Sequence, residues 1–134
     1  MIKKTITYVD FNDVERTETF YFNYSKAELL EMEMTTEGGF VERVQRIIDA
    51  KDSGSLVKLW KKFVIDAYGV KSDDGRRFMK NDEIRAAFVE CPAYSTIFME
   101  LATDDVAGAE FVKGVVPADM AKQITSAQAT QPKN

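Results

Sequence analysis

An α+β fold, mainly helical, with an amino-terminal β-hairpin packed on a bundle of five or six α-helices, is predicted by three features of the sequence. Residues 1–24 are rich in Thr, Ile, Val, Tyr and Phe, the types that fit a pleated surface, and break at Phe11-Asn12-Asp13-Val14. Apolar residues at three- and four-residue steps then take over, the spacing of a helix face. Cap and stop signals, among them Ser25, Gly38-Gly39, Asn81 and Pro92, cut that pattern into helix-sized pieces.

The hairpin comes first. Its apolar positions, Ile6 and Tyr8 in one strand and Phe20, Phe22 and Tyr24 in the other, are all even-numbered. For them to share a face, paired residues must sum to an even number, which demands an odd loop of three or five residues rather than a two-residue turn. An isolated hairpin is barely stable, so this face must rest on helices.

Ser25-Lys26-Ala27-Glu28 is a capping box opening the first helix, with Ala27, Leu30 and Met34 expected as its buried stripe and Gly38-Gly39 as its stop. A second helix is expected to bury Phe40, Val41, Val44, Ile47 and Ile48 and to end near Asp52-Ser53-Gly54. Ser55 is read as the cap of the central helix, whose face is Leu56, Leu59, Trp60, Phe63, Val64, Ala67 and Tyr68, with Gly69 as a left-handed terminator. Asn81, followed by Asp82 and Glu83, caps a helix with the stripe Ile84, Ala87, Phe88 and Cys91. Pro92 suits the first turn of the next, with Tyr94, Ile97, Phe98, Leu101 and Ala102 inside. Asp104 caps another, burying Val106, Ala109, Val112 and Val116, and Pro117 ends it or begins a short final turn. At 134 residues the chain fits one domain, which buries roughly two thirds of its unfolded surface. Residues 1–124 are therefore expected to form a single globular domain, 1–24 the hairpin and 25–124 helical. Residues 125–134 lack large apolar side chains and are expected to be a disordered tail.

Composition restricts the chemistry. The absence of histidine removes the usual general base and the nucleophile systems that rely on it. The single cysteine, Cys91, excludes an intramolecular disulfide and lies on an apolar stripe, as a small buried hydrophobe would. A net charge of −4 argues against broad binding to nucleic acid or an anionic membrane. The start, MIKKTITYVDF, lacks the apolar centre of a signal peptide, and no apolar run approaches the roughly 18 residues of a membrane span, so the cytoplasm is the expected location. The stretch SDDGRRFMKNDEIRAAF at 72–88 fails as a calcium loop, since alignment on Gly75 puts Val70 at the first ligand position, and fails as a phosphate loop for want of further glycines. It reads as a solvated turn, an extended segment from Arg76 to Met79 and a capped helix. Glu31, Glu33, Glu37 and Glu42 read as a solvated helix face rather than paired catalytic acids. Methionines such as Met32, Met34 and Met79 suit an adaptable apolar surface as well as a core. No catalytic, cofactor or metal residue is expected.

Two stretches, FNDVERTETFYFNYSKAELLEMEM at 11–34 and DGRRFMKNDEIRAAFVECPAYSTIFMELATD at 74–104, resemble the tail assembly chaperones of long-tailed, siphovirus-type bacteriophages and prophages of Gram-positive bacteria. The likeness runs from residue 5 to about residue 120, ending in VKGVVPADM. It implies a non-catalytic protein that coats the helical tape-measure protein, keeps it soluble, helps recruit the tail-tube protein and leaves as the tube forms, so that it is absent from the mature virion. It also implies self-association, and a longer form made by translational frameshift near the end of the coding region. On that footing the partner-binding residues are expected in a groove with Met32, Met34, Phe78 and Met79, while Arg76, Arg77 and Asp82 set the client's orientation. Other readings are a structural tail component kept in the virion, a host-directed protein-binding regulator and, least supported without histidine, a small enzyme.

Overall fold

The computed structural model describes residues 1–116, except the side chains of Val41, Val44, Gln45, Ile47 and Ile48. Two strands, β1 (Ile2–Val9) and β2 (Glu15–Phe22), form the expected antiparallel hairpin. Ile2 faces Phe22, Ile6 faces Glu18 and Val9 faces Glu15, so every pair sums to 24 and the loop holds five residues, as the parity of the apolar positions requires. Ile6, Phe20, Phe22 and Tyr24 are buried on the shared face.

The helices are α1 (Lys26–Thr35), α2 (Phe40–Asp49), α3 (Ser53–Ala67), α4 (Asp82–Val89), α5 (Pro92–Thr103) and α6 (Asp105–Val115). The α+β architecture thus holds, with an addition. Between α3 and α4 lie two short strands, β3 (Tyr68–Lys71) and β4 (Phe78–Met79), and β3 docks on β2 to extend the sheet to four strands in the order β1-β2-β3-β4. Tyr68 is therefore in a strand, not on the last turn of a helix. Gly69 is not the left-handed terminator expected of it: it lies in β3, where an added Cβ would meet the Phe78 ring at 2.5 Å. The residue that does need positive φ here is Gly75, at 76°, in the β3–β4 turn.

Caps behave locally, as caps should. Ser25 accepts from the Glu28 amide at 3.1 Å while the Glu28 carboxylate accepts from the Ser25 amide at 2.9 Å. Asn81 and Asp104 cap α4 and α6 through their side chains, and Pro92 opens α5. At α3 the cap is Asp52, three residues before the expected Ser55, because the Asp52 carboxylate takes both the Ser55 amide at 3.1 Å and the Ser55 hydroxyl at 2.6 Å. A charged acceptor wins over a neutral one.

Several expected stripes are corrected. On α1 the residues turned to the core are Leu29 and Met32, whereas Ala27, Leu30 and Met34 are exposed. On α6 the buried residues are Phe111 and Val115, followed by Val116, while Val106 and Ala109 face solvent. On α3 the face holds through Phe63, Val64 and Ala67 but Leu56 is more than a third exposed. Ala87 and Ala102 are exposed, and Ala93 is buried in their place at the α4–α5 junction. Cys91 sits at that junction, partly buried against the core. Phe40 packs as expected; the side chains of Val41, Val44, Ile47 and Ile48, Pro117 and the tail at 125–134 lie outside the described residues.

The centre of the core is aromatic. Phe22, Phe88 and Phe111 are fully buried, with the Phe22 ring edge-on to Phe88 at 5.7 Å and to Phe111 at 5.3 Å. Tyr68, brought in by β3, stacks on Phe88 at 4.2 Å. The sheet and the helices are thus joined through rings.

Candidate functional site

Three helices, α1, α2 and α3, leave an open cleft of about 510 Å³ between them. Tyr24, Met32, Phe40, Leu59 and Phe63 supply its apolar lining. Its rim is charged and mixed in sign: Glu28, Glu31 and Asp66 against Arg43, Lys58, Lys62 and Arg85. The apolar face of α3 puts Leu59 and Phe63 one turn apart, and the capping box fixes the start of α1 so that Met32 follows Glu28 by one turn on the same side. Phe63 anchors the base, with its ring 4.9 Å from Tyr24 and 6.1 Å from Phe40. The Tyr24 hydroxyl donates to the Phe63 carbonyl at 2.5 Å. Burial, reinforced by the charges of Asp66 and Glu28, pushes that phenol far above its ordinary range, so it stays a neutral donor.

Two of the lining residues, Glu28 and Tyr24, are held by Lys80, in the link between β4 and α4. Its ammonium donates to the Asn23 carbonyl and to the Glu28 carboxylate, each at 2.7 Å, and lies over the Tyr24 ring at 4.8 Å. Burial draws the Lys80 amine below the usual lysine value, with the bond to Glu28 opposing it. Partial burial works to raise the Glu28 carboxyl, yet the hydrogen bonds from Lys80 and from Ser25 carry it below its ordinary range. Also on the rim, Asp66 receives Lys62 at 2.7 Å, and Arg85 Nε stands 3.6 Å away, too far for a hydrogen bond but within reach of its charge.

The structure distributes the expected site residues unevenly. Met32 lines the cleft. Met34 is on the outward face of α1 with 76% of its surface exposed. Arg76 and Arg77 are exposed at the β3–β4 turn, and Asp82 is exposed in the first turn of α4; none of the three lines the cleft. Phe78 and Met79 are half-buried in β4, where Phe78 covers Gly69 and lies under the Lys80 ammonium at 5.7 Å. Lys80 itself was not singled out from the sequence; its position directly before the Asn81 cap was the available signal.

The segment from Ser72 to Arg77 spends its polar groups on its own turn. The Ser72 hydroxyl bonds the Asp74 carboxylate at 2.7 Å and accepts from the Arg77 amide at 3.0 Å, and Asp74 also accepts from the Arg76 amide at 3.0 Å. Those bonds, Ser72 first, hold the Asp74 carboxyl below its usual range. This is the solvated turn and extended segment expected, built as a β-hairpin. Glu31, Glu33, Glu37 and Glu42 are exposed, as read from the sequence. Among the described residues no group of three or more His, Cys, Asp or Glu could hold a metal ion, and no helix is long and apolar enough to cross a membrane.

Such a cleft offers apolar contact to a bound group, with charged rims that limit its orientation. Compared with known proteins, the chain matches the model of the family described as phage tail assembly chaperone over residues 1–134. No curated protein and no solved structure matches it. A match along the whole length, over a fold with an open apolar cleft, places the chain in that family: it is a member of the phage tail assembly chaperones.

Proposed function

We propose that this protein binds amphipathic helical segments of the tape-measure protein in the cleft between α1, α2 and α3, keeps that long chain soluble and helps recruit tail-tube subunits, with no catalytic step. One observation carries the reading: Tyr24, Met32, Phe40, Leu59 and Phe63 form an apolar floor inside a rim of mixed charge, in a chain of the tail assembly chaperone family. A volume of about 510 Å³ lies within the range of clefts that hold compact ligands and suits a few large side chains from one helix face. Methionine and aromatic side chains adapt to varied apolar partners, which a protein serving many segments of one client requires. In this reading the β3–β4 hairpin with Arg76, Arg77, Phe78 and Met79, together with Asp82, contacts the client outside the cleft and steers its charged residues. Binding takes place in the host cytoplasm before the tube closes, and the protein does not remain in the virion.

Co-expression with the tape-measure protein tests the reading. The wild-type chain raises the client's soluble fraction and co-purifies with it, and Met32→Asp with Leu59→Asp removes both effects while the fold remains. A client as insoluble with the wild-type chain as without it, or a double variant that still co-purifies, overturns the proposal. Mass spectrometry of purified virions tests the departure: one copy per tube subunit would make it a structural component instead.

A further inference from the structure

A second face of α3, turned away from the cleft, borders another groove. It lies between α3, α5 and α6, encloses about 310 Å³ and is lined by Leu56, Val57, Trp60, Leu101, Ala109 and Val112 among others. Among the described residues its α3 wall is left open, with Leu56 38% and Val57 51% exposed. Gly108 also lines it and has no side chain to fill it; an added Cβ would stand 2.9 Å from the Leu101 carbonyl and 3.9 Å from the Trp60 ring. A trough of this kind takes a chain segment that brings one or two large apolar side chains.

The polypeptide supplies such a segment at the groove's own edge. One wall is α6, which ends at Val115, within one turn of Val112. Residues 117–134 follow, outside the described range, and their large apolar residues are Met120 and Ile124 alone. From Val116 back to Asp105 is about 17 Å along a helix axis. Residues 117–124 can reach about 26 Å when extended, so a chain that turns back at Pro117 spans the whole groove. The charges fall in matching order. Asp119 precedes Lys122. On a chain running back along α6 the first meets Lys113, exposed one turn beyond Ala109, and the second meets Asp105, an exposed lining residue at the other end of the helix. Pairs of this kind set direction more than affinity.

We propose that residues 117–124 turn back along α6 and seat Met120 and Ile124 in the α3–α5–α6 groove, as a strap over Trp60. The occupant is the chain's own segment for three reasons. It is tethered beside the groove, at an effective concentration on the order of millimolar. It brings two large apolar side chains to a groove that has room for few, and its two charges are ordered against Lys113 and Asp105. Beyond Ile124 the residues are small or polar, so the strap ends there. The groove is separate from the cleft that receives the client, and either proposal can fail without the other.

Crosslinking within the chain tests it. In the full chain carrying Cys91→Ala, which removes the sole native cysteine, two cysteine pairs are compared. Val57→Cys with Ile124→Cys is expected to close a disulfide within one chain about tenfold or more faster than Val57→Cys with Gln131→Cys, whose second thiol is on the same tether but beyond the strap. Trp60, the sole tryptophan, reports the cover independently in a chain that keeps Cys91. Met120→Ser with Ile124→Ser is expected to move its emission to longer wavelength and to make acrylamide quench it more strongly, with circular dichroism unchanged. Equal rates for the two cysteine pairs, a disulfide that joins two chains instead of closing one, or Trp60 emission indifferent to Met120 and Ile124 would each overturn the proposal.

Discussion

Lys80 Nζ lies 2.7 Å from Glu28 Oε2, which ties the segment just before α4 to the first turn of α1 beside the cleft. The lysine side chain is only 10% exposed and the glutamate 37%, so the pair is half in water. Replacing Lys80 by methionine keeps the stem but leaves Glu28 and the Asn23 carbonyl without their donor. The expected loss is about 1–3 kcal/mol, reduced from the figure for a fully buried pair by the exposure of Glu28. Urea unfolding measures it; an unchanged midpoint would show that water replaces the amine at no cost.

The same pair gives the stability a pH signature. Glu28 has a folded pKa below its unfolded value, so its contribution is present above the ordinary glutamate range and is lost as pH falls through the folded value. Lys80 is also lowered, so the folded state resists its protonation and gains stability as pH climbs from the folded value to that of free lysine. Thermal melts of Glu28→Gln are expected to fall less than wild type between about pH 5 and pH 3. An acid limb of the same steepness in both would remove Glu28 from the account.

Gly69 and Phe78 form a size-matched pair across β3 and β4. Alanine at Gly69 would place a methyl 2.5 Å from one Phe78 ring atom and 2.8 Å from another, so the ring or the strand must shift. Gly69→Ala is expected to cost about 1–3 kcal/mol, and Phe78→Leu in the same chain to recover part of it. A double-mutant cycle with no coupling would contradict the contact.

Trp60 separates packing from polarity. Its ring stacks on Phe63 at 5.6 Å and meets Phe111 edge-on at 5.9 Å, but its Nε1 hydrogen is buried without an acceptor. Trp60→Ala is expected to cost about 3–5 kcal/mol through the cavity it leaves. Trp60→Phe keeps a ring and removes the orphan donor, so its cost should stay within about 1 kcal/mol. Equal losses in the two variants would mean the ring contacts contribute little.

The features legible in the sequence were those set by neighbours along the chain. The capping box at Ser25, the Asn81 and Asp104 caps and Pro92 at the head of α5 need only a few residues to form, and hairpin parity follows from the two-residue period of a strand. The cleft residues Phe40, Leu59 and Phe63 were readable as apolar helix faces. What sequence reasoning missed depended on distant partners. In KAELLEMEM apolar residues occur on two sides of the helix, so spacing alone permits either Ala27-Leu30-Met34 or Leu29-Met32 as the inner face. Packing of Leu29 and Met32 against the shared core, and the Lys80–Glu28 pair, settle the choice, and both involve residues far along the chain.

By itself, then, the sequence determined most of the helix starts, the parity of the hairpin and the kind of fold, because hydrogen-bonding caps and side-chain periodicity act over a few residues. Only the tertiary structure decided which face of α1 and α6 turns inward, that β3 leaves α3 to join β2, and that a cleft opens between α1, α2 and α3. Those outcomes depend on filling one shared volume with side chains far apart in the chain, a constraint that no single segment carries.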